Sequence, residues 1–538
     1  MPFDPVRPHQ TEAEIARLSL EFLQRVVAID SPSDEDSDTI PSTEGQRALS
    51  RAVGEFFERE GCRVETDRNA NVLAELAGRG APADDPPVAL MVHLDTTRGT
   101  RAVPQLSVLR RWDGRSIPYP ANPGLQVGVE TYPATAAFVG QDLVHGPGDR
   151  PFGLDDKLGL AHLMTLARLL SANSGIPHPP LLFIGRPDEE IGRMAAVEGL
   201  AEELARRGVR YGYTIDGIVP FEVNVENFHA SQATVTFPRL PVAGDALPQE
   251  IAVAIGGVNT HGCTAKAEGY RAATRFASQV AGALEEAGLS PKRILPARFV
   301  TDAARECDAE VAFRTDGSAE TAEALRRGIE AAIGPHLRRG ASFRIGEARP
   351  TAEPGPIDGA TSEMLRFVRT FLTSTPGFVL PAEASEGREG YSNPFRSAPL
   401  DGGGVTLDVR LRDFDRAALT AREEHVAAVA AGFAGARVAV RQQYVNMGPR
   451  LAPESHLVEW PREAAAALGV AAPVLPIRGG TGVDPFLDRG IPVANLGTGY
   501  FAPESEKEFT SLQLMARHAL WLALLVQQLR RPPNEPGA

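Results

Sequence analysis

The sequence predicts an α/β catalytic domain on a mainly parallel sheet, interrupted by an inserted α+β lid domain, and three observations predict it. An apolar run, Val88 to Val92, reads as a buried strand and delivers His93 and Asp95 together at its carboxyl end. From Val88 to Asp216 such runs alternate with stretches of helical spacing, the pattern of a largely parallel sheet. After Asn227 the character changes to alternating strands, a Pro- and Gly-punctuated loop around Pro238 to Pro248, and a helix over Ala272 to Ala287.

Thr11 to Ala28 and Gln46 to Glu60 carry helical apolar spacing ahead of the first strand. In Gly153-Leu-Asp-Asp-Lys-Leu-Gly159, Asp155 and Asp156 open an apolar-periodic stretch through Leu160, Met164 and Leu169, a pattern that an acidic helix start also explains. Leu181 to Gly185 reads as a strand followed by Asp188, Glu189 and Glu190. Tyr211 to Asp216 is a short strand ending on another carboxylate. In the second domain, Ala309 to Thr315, a helix through Ala332, and Ala341 to Ile345 form one β-α-β unit. Leu407 to Arg412, a helix through Gly432, and Arg437 to Val440 form another. A duplicated half-domain and two unrelated units explain this equally well. Pro350 to Gly359 reads as an exposed connector. The catalytic domain resumes near Ser455, Val493 to Leu496 returns a strand to the first sheet, and Ala519 to Val526 is the core face of a C-terminal helix. The expected boundaries are 1–227 with 452–538 for the catalytic domain and 228–451 for the lid.

At 538 residues the chain exceeds one ordinary core. Its 43% hydrophobic and 23% charged residues indicate a soluble globular protein. A balance of 55 basic against 69 acidic residues argues against nucleic acid or an anionic membrane as partner. Cys62, Cys263 and Cys307 are widely spaced and fit a reducing compartment better than a disulfide framework. The N-terminal residues lack a signal-peptide core and no segment is apolar for long enough to span a bilayer, so a cytoplasmic location is expected.

Taken singly, each strand-end acid is explained by a turn, a cap or a solvated face. In an α/β sheet, however, the strand exits share one edge. One histidine with several carboxylates suits two divalent ions bridged by an aspartate, and leaves carboxylates over for acid/base work.

At this point the sequence resembles the peptidase T group of tripeptide aminopeptidases, within the co-catalytic dizinc family of aminopeptidases, aminoacylases and carboxypeptidase G. The resemblance rests on His93-Leu-Asp95-Thr, Gly153-Leu-Asp-Asp-Lys-Leu-Gly159, Pro187-Asp-Glu-Glu-Ile-Gly192 and Tyr213-Thr-Ile-Asp-Gly217. It continues through Ile40 to Gln46, Glu226-Asn-Phe228, His261 with Thr264-Ala-Lys266, Arg412-Asp-Phe-Asp415, Tyr444-Val-Asn-Met447 and Pro476 to Thr481. It implies a zinc-peptidase-like fold and a metallopeptidase releasing the N-terminal residue of short peptides by metal-hydroxide attack. His93, Asp155, Glu190 and Asp216 match metal ligands, with Asp155 bridging; Asp95 matches the residue orienting His93, and Glu189 the general base. His261 matches a lid histidine that reaches the reacting carbonyl oxygen, with Asn259 close by. Arg412 matches an arginine that grips a substrate carboxylate. The implied cofactors are two divalent ions, zinc with manganese or cobalt as alternatives. The implied partner is a short peptide, with no nucleic acid or membrane, bound by a monomer or homodimer.

Two positions depart from the family pattern. Its last ligand, a histidine, is Glu504 here, a residue still able to bind metal through oxygen. Its Gly-Gly-Thr-Asp reads Gly479-Gly-Thr-Gly482. The lid is also longer than the resemblance requires, with the excess expected between about Leu289 and Leu380. A related amide hydrolase, either an N-acyl amino acid deacylase or a carboxypeptidase, and a catalytically impaired metal-binding homologue are the alternatives.

Overall fold

A computed structural model describes residues 4–80, 85–242, 247–258, 271–289, 291–303, 305–351, 356–374 and 390–529. The chain forms two compact units. One comprises Met1–Pro123, Val127–Asn227 and Asn446–Ala538; the other comprises Phe228–Val445 with Gly124–Gln126. Asn446 to Leu451 thus belongs to the first unit, six residues ahead of the boundary expected from sequence.

The first unit is built on a seven-stranded sheet. Its spatial order is Arg63–Thr66, Val72–Leu76, Leu181–Arg186, Val88–His93, Gly212–Gly217, Val493–Gly497 and Val223–Asn224. The four inner strands from Leu181–Arg186 to Val493–Gly497 run parallel, and the outer pairings are antiparallel. Parallel strands covered on both faces carry continuous apolar sequence, and every residue of Val88–His93 and Leu181–Arg186 is buried. Leu154–Ala172 packs on the Val88–His93 and Gly212–Gly217 strands and against the helices Glu12–Val27 and Leu512–Gln528. Glu44–Arg59 packs on the first two strands. Phe183 is fully buried in this core and stacks on Phe57 at 5.1 Å. Its loss to alanine costs about 3–5 kcal/mol on the scale of buried aromatics.

Register decides where the chemistry emerges. His93 lies opposite Arg186, and Met91 opposite Thr214. The residues that follow these strands therefore leave the sheet along one edge. A second, antiparallel sheet of Ser107–Leu109, Leu143–His145, Phe509–Ser511 and Tyr500–Phe501 carries the chain that contains Glu504 and Glu508.

The second unit contains two sheets of the same topology. One is ordered Ile294–Thr301, Ala309–Thr315, Gln249–Gly256, Ser342–Ile345; the other Tyr391–Pro399, Val405–Asp413, His229–Phe237, Arg437–Tyr444. In each, the strand earliest in sequence lies second from one edge. A helix follows before the edge strand (Ala273–Glu286 or Ala360–Ser374), then a hairpin, a second helix (Ala319–Ile333 or Arg416–Ala430) and the last strand. This is a β-α-β-β-α-β plan. Both edge strands break register at a Pro-x-Arg, between Pro296 and Arg298 and between Pro394 and Arg396. Proline has no N–H for a ladder and belongs at such edges and bulges. Shared topology and shared bulges favour the duplicated half-domain over two unrelated units. One copy is nested in the other, and its strands run from Gln249 to Ile345. The connector expected at Pro350 to Gly359 is partly tied down: Ile357–Asp358 pairs with Pro241–Val242, and the Asp358 carboxylate accepts N–H groups of Leu240, Ala360 and Gly404.

Candidate metal centre and active site

His93 ends its strand with its side chain 1% exposed. Its Nδ1 lies 2.9 Å from the Asp95 carbonyl oxygen, which can only accept, so Nδ1 carries the proton. Nε2 then faces two carboxylates, Asp155 Oδ1 at 2.9 Å and Asp216 Oδ1 at 3.3 Å.

Asp95 is completely buried. Its carboxylate approaches His93 Nδ1 only to 3.5 Å, while its two oxygens accept the N–H groups of Glu189 and Glu190 at 2.9 and 3.0 Å. The residue expected to orient the histidine thus also pins the backbone of the acidic loop. The same loop is held from behind by Asp188, in left-handed conformation at φ 55°, whose carboxylate accepts from Ser42 N and Oγ and from Gln46 Nε2.

Asp155 and Asp156 precede a helix without belonging to its regular backbone: their ψ values are 106° and 30°. The helix-start explanation of these acids therefore fails. The Asp156 carboxylate accepts the His93 backbone N–H at 3.2 Å, and Asp155 Oδ2 accepts the Tyr500 hydroxyl at 2.9 Å. Gly159 allows the close approach, since a Cβ there would lie 2.1 Å from the Ile215 carbonyl oxygen and 2.2 Å from Asp156 Oδ1. Glu508, buried, takes the N–H groups of Phe152 and Gly153 at 3.0 Å and of Leu154 at 3.4 Å on one oxygen, fixing the loop that presents both aspartates. Burial pushes the Glu508 carboxyl up to about 8 against the pull of those amides.

Packing these acids together in a dry site disfavours their charged forms. Burial and then the Glu504 and Asp155 charges hold Glu190 well above the ordinary carboxylate range. Burial and Asp216 do the same for Asp156, and Asp216 is pushed up to about 7, first by burial and then by Asp155 against the favourable pull of His93. Burial opposes charge on His93, yet Asp216, Asp155 and Asp95 together raise its pKa well above the usual imidazole value. The Glu190 Oε1 atom is buried with no hydrogen-bond partner among the described residues.

These features fit bound cations. Ligand atoms of His93, Asp155 and Glu190 lie within 4.8 Å of one another, as do those of His93, Asp156 and Asp216. Four of the five expected ligands fall in these groups. Asp156, which was not expected, joins the second group, and Glu504 is in neither, although its charge acts on Glu190.

The metal-free chain is accordingly expected to lose stability with rising pH. Asp216, Asp156 and Glu190 bind protons more tightly folded than unfolded, so their penalty sets in above the ordinary carboxylate value and grows through about pH 7. The raised His93 acts in the same direction, since its contribution is complete below the usual imidazole value and is lost as pH climbs through the higher folded one. The Tm of chelator-treated protein should fall between about pH 5 and about pH 8, by the equivalent of a few kcal/mol, and added metal should remove most of that fall. A Tm that is flat or rises with pH would contradict the electrostatics.

Of the expected substrate-binding residues, Asn259 and His261 lie outside the described residues. Arg412 belongs to the second unit, buried, with Nη1 donating to the Ser231 and Leu411 carbonyls at 3.1 and 2.8 Å and its guanidinium 5.3 Å from the Tyr444 ring centre. Sequence reasoning missed Tyr500, Arg186 and the anchoring work of Glu508. Only Glu508 carried a signal, its fixed spacing from Glu504.

A mainly parallel sheet whose strand exits gather an imidazole, several carboxylates and an acid beside them defines a metal-dependent hydrolase. Residues 137–528 match the model of peptidase family M20/M25/M40. The chain belongs to that family and is a metallopeptidase. It is similar to the peptidase T of Aeromonas salmonicida, at 27% identity over 94% of this chain and 97% of the relative. The peptidase T of Geobacillus thermodenitrificans is 25% identical over 93% and 95%. Among solved structures, a tripeptidase from Staphylococcus aureus shares the fold, with a TM-score of 0.54 at 16% identity over 96% of this chain and 99% of that one. Among the described residues no helix is long and apolar enough to cross a membrane.

Proposed function

We propose that this metallopeptidase is an aminopeptidase that releases the N-terminal residue from short peptides, tripeptides foremost, with two divalent ions, zinc or manganese, held by His93, Asp155, Glu190, Asp216 and Glu504. One observation carries the reading: His93 Nε2 faces Asp155 and Asp216 beside a Glu190 oxygen that has no hydrogen-bond partner among the described residues, with Glu189 one residue before it at the mouth of the same strand exit. The matching of relatives named peptidase T over more than nine-tenths of both chains supports the choice of substrate.

Bound ions supply a polarised scissile carbonyl and a water acidic enough to lose its proton near neutrality. The chain's own residues do the rest. Asp95 holds the Glu189 and Glu190 amides in place. Glu189, its side chain 12% exposed, is positioned to take the proton of the attacking water and return it to the departing amine. Asn259, His261 and Arg412 are assigned to the substrate, His261 to the developing oxyanion. We place the enzyme in the cytoplasm, as a monomer or homodimer; the free Cys62 and Cys307 thiols accord with a reducing compartment.

The test is a panel of tripeptides, dipeptides, N-acyl amino acids and C-terminally extended peptides, assayed with and without a chelator. Chelator-sensitive release of the first residue, fastest from tripeptides, is expected. Preferred cleavage of N-acyl amino acids or of the C-terminal residue would replace the aminopeptidase reading with that of a deacylase or a carboxypeptidase.

A further inference from the structure

Arg186 is one of the largest side chains fully buried in the molecule, and its place at the end of the Leu181–Arg186 strand sets it opposite His93. A guanidinium taken from water needs compensation from charges or acceptors. Here Nη2 donates to the Thr481 carbonyl at 2.7 Å and Nη1 to the Gly482 carbonyl at 3.2 Å, while Nε has no partner among the described residues. The nearest carboxylate is Glu189, with Oε1 at 3.8 Å from Nη2. That is ion-pair range, and it is too long for a direct hydrogen bond.

Gly482 completes the arrangement. Its φ of 56° already disfavours side chains. A Cβ there would lie 2.2 Å from Arg186 Nη1 and 2.9 Å from Glu189 Oε1. The guanidinium therefore occupies the space into which any residue at 482 would project. Arg186, Glu189 and Gly482 also line one small recess, with Met194 and Val197.

Glu189 needs such a partner. Its amide is pinned by Asp95, its neighbour is Glu190, and its charge is felt at Asp216, so its carboxylate stands among other acids. A fixed cation on a rigid strand end, within ion-pair range of the carboxylate, favours one resting position for it. We propose that Arg186 is a positioning residue for Glu189, and that Gly482 is kept without a side chain so that the guanidinium can reach both the 481–482 carbonyls and the Glu189 carboxylate. The inference rests on Glu189 acting as general base.

A double-mutant cycle on the metal-loaded enzyme with a tripeptide substrate tests it. Arg186→Met should lower kcat about tenfold, with KM little changed, and Arg186→Lys should recover part of the loss. In a Glu189→Gln background the same Arg186→Met change should cost less than about twofold, since a residue acting through Glu189 has nothing left to act on. An equal loss in both backgrounds would show a structural role independent of Glu189 and overturn the proposal. Should Glu189→Gln alone retain the parent rate, the general-base reading would fail instead, a distinct outcome that removes the premise. If Arg186→Met does not fold, Arg186→Gln, which keeps an N–H donor toward the 481–482 carbonyls and removes the charge, should show the same dependence on Glu189. Crystal structures give a readout free of activity: a Glu189 carboxylate in an unchanged rotamer in Arg186→Met, or in Arg186→Gln, would also overturn it.

Discussion

Glu189→Gln is expected to leave the metal content of the protein unchanged while peptide hydrolysis falls by about 10²–10⁴-fold. The substitution keeps the size and the reach of the side chain and removes its charge and its capacity to take a proton. Among the described residues Glu189 belongs to neither group of mutually close ligand atoms. Its backbone N–H stays on Asp95 in the variant, because that contact does not involve the side chain. Elemental analysis of purified variant and parent, with kcat and KM on one tripeptide, separates the possibilities. Unchanged metal with a large loss in kcat is the expected pattern. Hydrolysis at the parent rate would exclude the general-base role, and loss of a metal ion would mean that Glu189 is a ligand.

The sequence made the sheet and its edge legible because apolar runs stop abruptly on chemistry. Val88 to Val92 ends on His93, Leu181 to Gly185 leads into Asp188, Glu189 and Glu190, and the Tyr211 strand ends on Asp216; strands of these lengths are found at those places. What stayed hidden is how the acids are held. A pattern of residue types gives no hydrogen-bond partners, so Asp95 read as a partner of the imidazole and not as the acceptor for two amides of a neighbouring loop. Tyr500 donates its hydroxyl to Asp155 over a sequence separation of 345 residues, a contact that no local pattern announces. Arg186 carries no local signal in the sequence, and tertiary packing buries it completely. The duplication in the second unit was half visible, because the two β-α-β stretches share length and order. Only the sheet topology shows that each also has an edge strand with a bulge after proline.

Glu504→Ala is expected to reduce the metal bound after dialysis from two ions per chain to about one, and to lower peptide hydrolysis by about 10²-fold or more, at the upper end of what loss of metal-site partners costs. Glu504 stands on a loop anchored to the site on both sides: Tyr500 donates to Asp155 before it, and Glu508 takes the Phe152, Gly153 and Leu154 amides after it. Its backbone is left-handed at φ 55°, a costly conformation for glutamate that calls for compensation from its surroundings. Its charge raises the pKa of the buried Glu190, whose Oε1 has no hydrogen-bond partner among the described residues. Carboxylates whose charges act on one another repel, and a divalent ion held by both would turn that repulsion into two favourable contacts. A carboxylate where the resembled family has a neutral imidazole adds a negative charge, which softens the Lewis acidity of the ions and favours manganese over zinc. Glu504→His should therefore keep two ions and shift the preference toward zinc, measured as relative occupancy when both metals compete at equal concentration. Two ions retained with parent affinity in Glu504→Ala would show that the ligand set closes without this residue. An unchanged zinc-to-manganese ratio in Glu504→His would show that its charge does not reach the metals.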